Sequence, residues 1–118
     1  MRRLLAEGDD AADPLVHELR ACVDAAERRG VTVYLGTCGA RPDPPRSVRR
    51  AMTEPVLALL ASAESEARVT VLGSPTTVTV SVVTDGRPPA IPAPEAITVT
   101  RLAQGGRHWV EVAWRAET

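Results

Sequence analysis

Few side chains in this 118-residue chain are of a kind that does chemistry, and they are scattered. Cys22 and Cys38 are the two cysteines, and neither has a second Cys or a His at metal-ligand spacing. Cys22 falls on an apolar helical stripe and reads as a small buried hydrophobe. Cys38, in Gly36-Thr37-Cys38-Gly39, follows a strand but has no base near it in sequence, so a catalytic thiol is not expected. His17 lies in the first helical stretch, and His108 alternates into a strand beside Trp109 as a cross-strand packing residue. Glu54 is a helical carboxylate near Arg50, and Asp85-Gly86 closes a strand where an acid can accept from a ligand's N–H. Arg41, Arg46, Arg49 and Arg50, offset only by Asp43, form the one local basic cluster; it suits a phosphate or an acidic partner, or simply a solvated helix entrance.

The composition limits the partners. The formal net charge is -1, with every basic residue an arginine, which fits compositional bias of a high-GC genome and is no nucleic-acid signature. The sequence is 44% hydrophobic but 3% aromatic, so the core is expected to be Val, Leu and Ala around Tyr34, Trp109 and Trp114 as anchors. Lack of exposed aromatics argues against stacking on single strands. No apolar run approaches the roughly 20 residues that span a bilayer. The opening Met1-Arg2-Arg3-Leu4-Leu5-Ala6 meets Glu7 before a signal-peptide core develops. The chain therefore reads as soluble and cytoplasmic, with no membrane and no nucleic-acid partner.

The elements that must position these residues follow from periodicity. Residues 1–12 read as a flexible arm, and 13–118 as one domain. Asp13-Pro14 offers an N-cap and a proline at the first helical position. Leu15, Leu19, Cys22, Val23 and Ala26 then recur at helical spacing until Gly30. Val31, Val33 and Leu35 alternate as a strand, and Arg41 to Pro45 is an extended connection. A second helix from Ser47 carries Val48, Met52, Val56, Leu59, Leu60 and Ala63 on one stripe. Pro55 inside it predicts a kink, or a helix starting after Thr53. Two hairpins follow. Val69 and Val71 turn at Gly73-Ser74-Pro75 into Val78, Val80 and Val82; Ile97 and Val99 turn at Gly105-Gly106 into Val110, Val112 and Trp114. Between the hairpins, Asp85 to Pro94 holds four prolines and is irregular. The sum is an α+β two-layer sandwich: two main helices on one face of a five-stranded mixed, mostly antiparallel sheet.

This order, ending its first hairpin in Val82-Val83-Thr84-Asp85-Gly86, resembles the GHKL ATPase domain of histidine kinases, most nearly that of sensor kinases paired with LuxR-type regulators. The resemblance covers roughly residues 15 to 115. Glu54-Pro55-Val56-Leu57-Ala58-Leu59-Leu60-Ala61-Ser62-Ala63 occupies the place of the family's N box, and Gly105 to Trp114 that of its final strand. The departures fall at the chemistry. Ala58 stands where the family has its Mg²⁺-binding Asn, and Ala61 or Ser62 where it has a basic residue or His. Thr84 stands where it reads adenine with an Asp, and Pro88 replaces the second glycine. Only Arg87 to Ala96 fills the place of the Gly-rich phosphate lid.

What the resemblance implies is a nucleotide-binding position at Glu54, Asp85 and Gly86, in degenerate form, with no catalytic residue and no metal ligand. Two further readings stay open: a minimal ATP-binding kinase domain using Glu54 and Asp85, and an unrelated α+β binding module. The expected role is a regulatory interaction module in bacterial signalling, without ATP or Mg as cofactor, binding a signalling protein or itself. A strand at Ile97–Leu102 or Val31–Leu35 is expected at a sheet edge, open to pairing. The shortened lid is expected to leave Val56, Leu59 and Leu60 less protected, on the side that binds a partner.

Overall fold

The computed structural model describes residues 13–91 and 96–116. The expected arm at 1–12 and the prolines at 92 and 94 lie outside the described residues. Helix α1 (Pro14–Arg28) is capped as its sequence predicts: the Asp13 carboxylate accepts from the amides of Leu15 and Val16 at 2.9 and 3.3 Å. Strand β1 (Thr32–Cys38) follows, then helix α2 (Arg46–Ser62). Strands β2 (Glu66–Gly73), β3 (Thr77–Thr84), β4 (Ile97–Gln104) and β5 (Arg107–Arg115) come next among the described residues. The α+β sandwich expected from periodicity is present.

Helix α2 runs continuously through Pro55, which is buried, so the late start after Thr53 does not occur. The physical reason lies on both sides of the proline. Val48 and Met52 before it, and Val56, Leu59 and Leu60 after it, all enter one core. Burying such side chains, at about 1.5–3 kcal/mol each, offsets the roughly 3 kcal/mol that an interior proline costs.

The strand order is β1-β2-β3-β5-β4. β1 and β2 are parallel, joined by the α2 crossover, and every other pair is antiparallel. Both candidate edge strands do lie at the edges. At the β4–β5 hairpin Gly105 and Gly106 take φ of +59° and +80°, the left-handed pair that a two-residue turn between twisted strands requires.

Alternation puts Val69, Val71, Val78, Val80, Val82, Val110 and Val112 under the helices, all essentially inaccessible. α1 packs on β1 and α2, while α2 covers β3, β5 and β4. Trp114 packs against this core as expected. Tyr34 and Trp109 do not: they are 55% and 43% exposed, on the opposite face of the sheet. The parity of the strands decides this, since Val33 and Leu35 flank Tyr34, and Val110 and Val112 follow Trp109, on the helix side. The expectation that Val56, Leu59 and Leu60 are less protected is also corrected, because all three are fully buried on the sheet-facing side of α2. Ile91, at the end of the described part of the short connection, packs on the same core.

Candidate functional site

Thr84 and Asp85 leave the end of β3 in opposite directions. Thr84, on the helix side, is 1% exposed, and its hydroxyl oxygen accepts the Gly86 amide at 3.1 Å. Asp85 turns instead to the junction between α2 and β2. Its carboxylate accepts the amide of Glu64 at 2.9 Å, that of Ser65 at 3.2 and 3.0 Å, that of Glu66 at 3.3 Å, and the Ser65 hydroxyl. The Ser65 hydroxyl above all, helped by those three amides and opposed by burial, holds the carboxyl at about 2. This is an anchor for the ionised acid in which the donors that a ligand would supply come from the chain itself.

Gly86 is buried against the last turn of α2. A Cβ there would lie 1.7 Å from the Ser62 carbonyl oxygen and 2.9 Å from the Ala63 Cα. Only glycine lets the two backbones meet this closely. Glu54 is exposed on α2, eight residues before Ser62, which is about 12 Å along a helix axis. The three residues thus share one end of the fold only in part. Asp85 and Gly86 are adjacent to the α2 C-terminus, and Glu54 stands apart.

The other candidates have structural partners or none. Cys22 is buried, and burial, with the Glu18 charge second, pushes its thiol up, away from the reactive thiolate; Cys38 is exposed. The basic cluster separates. Arg49 pairs with Glu18 at 2.9 Å and donates to the Pro44 carbonyl at 3.0 Å. Arg41 pairs with the Asp13 cap at 2.7 Å, leaving Arg46 and Arg50 exposed on the helix entrance. His17 is exposed on α1, and His108 is half-buried opposite Thr84 and Ala103.

Residues not singled out in the sequence also organise this end. Arg29 donates to the carbonyls of Leu60 and Ala61 at 3.3 and 3.1 Å, satisfying the C-terminus of α2 where a cation is favoured. Its place just after α1, in Arg28-Arg29-Gly30, carried no signal of a partner 31 residues away. Ser65 was equally hidden, being one short polar residue in a turn.

The donor set does not suit Mg²⁺, a hard ion that takes oxygen ligands. Ala58 has no side-chain oxygen, and Asp85 faces the backbone of residues 64–66. Among the described residues no three His, Cys, Asp or Glu side chains group as a metal site. Among them, too, no helix is long and apolar enough to cross a membrane.

Solved structures share this fold. The catalytic domain of histidine kinase ThkA matches with a TM-score of 0.57 at 11% identity, over 84% of this chain and 92% of that one. A histidine kinase from Burkholderia phymatum gives 0.60 at 16% identity, over 88% of this chain and 68% of its own. The cytoplasmic segment of histidine kinase QseC gives 0.53 at 16%, over 86% and 70%. No family model and no curated protein matches the sequence. The chain therefore shares the fold of histidine-kinase catalytic domains. At these identities the likeness is one of architecture.

Proposed function

We propose that this chain is a signalling domain of histidine-kinase fold that works by binding protein partners in the bacterial cytoplasm, and not by turning over ATP. The observation that carries this reading is the engagement of Asp85. The resemblance implies a nucleotide-binding position at Asp85, yet its carboxylate is engaged by Ser65 and the amides of residues 64–66. Thr84, at the position where the resemblance expects the adenine-reading acid, is buried with its oxygen on the Gly86 amide. Ala58 adds no metal ligand. The exposed carboxylate of Glu54 is the feature that favours the alternative, a minimal kinase domain.

Thermal melting with Mg-ATP separates the two. A ligand at 100 times its Kd stabilises by about 2.7 kcal/mol. The expected result is no shift at millimolar Mg-ATP; a saturable shift lost in Glu54→Gln would establish the kinase reading instead.

A further inference from the structure

The face of the sheet away from the helices carries an ordered row. Tyr34 is in register with Arg68, Arg68 with Val83, Val83 with Trp109, and Trp109 with Leu102, one residue from each strand in spatial order. Tyr34, Trp109 and Leu102 are 55%, 43% and 54% exposed, and the Arg68 guanidinium lies 5.6 Å from the Tyr34 ring centre. The Trp109 indole N–H already donates to the Ser81 hydroxyl at 2.6 Å, so its ring can be covered without stranding a polar group. Exposed Tyr34, Trp109 and Leu102 with one arginine among them, in a single row across the sheet, mark an interaction surface.

We infer that this face is a homodimer interface, closed by a second copy of the same chain packed sheet to sheet about a two-fold axis along β3. β3 is the middle strand, so such an axis exchanges β1 with β4 and β2 with β5. The row is complementary to itself under that exchange. Arg68 meets the partner's Trp109, a cation against an aromatic face. Tyr34 meets the partner's Leu102, and Val83 lies on the axis. One step along the same strands, Glu66 and Arg107 stand level and pair within one chain at 3.0 Å, so the exchange sets each against its opposite charge on the other copy. In the other direction Leu72, 43% exposed, meets the partner's Ala113. Five strands about 4.8 Å apart and about eight residues long make a face on the order of 20 by 25 Å. Two such faces bury on the order of 1,000 Å², the lower bound of a specific interface, so a micromolar dimer is expected. The inference holds whether or not nucleotide is bound.

Sedimentation equilibrium of the full chain tests it, with circular dichroism as the check on folding. The wild type should dimerise in the micromolar range, and Trp109→Ala should weaken association at least tenfold while leaving the fold intact. Glu66→Arg and Arg107→Glu should each weaken self-association. An equimolar mixture of these two variants should form a heterodimer, because opposite charges then face each other at both symmetry-related places. A chain monomeric to about 1 mM overturns the proposal and leaves the face to a different protein. A dimer indifferent to Trp109→Ala, or folded charge variants that fail to pair when mixed, overturns it as well.

Discussion

Asp85 and Ser65 are joined twice over: the Ser65 amide reaches both carboxylate oxygens, and its hydroxyl reaches one of them. This pair locks the end of β3 to the turn that carries α2 into β2. It ties an acid at a strand end to the backbone of its own chain.

Asp85→Ala should therefore destabilise the fold, by about 1–2 kcal/mol once solvent screening at this accessible site is discounted. The pH dependence has a definite sign. The folded carboxyl titrates at about 2, below its ordinary 3.8, so ionisation favours the folded state. That contribution is complete above about pH 4 and is lost as the pH falls through about 2. Urea titrations between those limits should lose this slope in Asp85→Asn.

Gly86→Ala should be worse, although it adds only a methyl group. Its Cβ would have to displace the Ser62 carbonyl, which is backbone held in the last helical turn. A loss of about 3 kcal/mol or more, or failure to fold, is expected by chemical denaturation. A neutral substitution would mean that the strand end and α2 are further apart than described.

Val80→Asp and Thr79→Asp differ by one residue and one face. Val80 is fully buried beneath the helices, whereas Thr79 lies half-buried on the other side. The first should abolish cooperative folding, through an unpaired buried charge. The second should keep a folded dichroism spectrum. Equal damage would overturn the strand parity.

Arg29→Ala should lower the melting temperature by a few degrees, since it frees the carbonyls of Leu60 and Ala61 at a helix end, a loss of about 1 kcal/mol. Arg29→Lys should recover only part, because a single ammonium cannot reproduce the forked pair of contacts.

Local periodicity made most of the fold legible. Asp13-Pro14 gave the first helix boundary, the Val-Thr alternation gave β3, and Gly105-Gly106 gave the second hairpin. The late helix start after Thr53 does not occur because propensity is local, while the cost of Pro55 is offset by burial on both flanks. Aromatic size does not decide burial at Tyr34 and Trp109, because the parity of the flanking aliphatic residues sends both to the open face. The candidate site was less legible. Asp85 was visible as an acid at a strand end, but its direction depended on Ser65, 20 residues earlier. The transverse row of Tyr34, Arg68, Val83, Trp109 and Leu102 depended on registers between strands, which no single strand's sequence carries.

The insertion of β5 between β3 and β4 also constrains how the chain is made. As the polypeptide leaves the ribosome, β3 emerges some thirty residues before the strand that will flank it. Until Arg107–Arg115 is synthesised, the hydrogen-bonding edge of β3 stays open beside Val78, Val80 and Val82, a segment of high strand propensity. A nascent or truncated chain ending before Trp109 should be a chaperone substrate and prone to aggregate, while the arrival of β5 covers the open edge of β3.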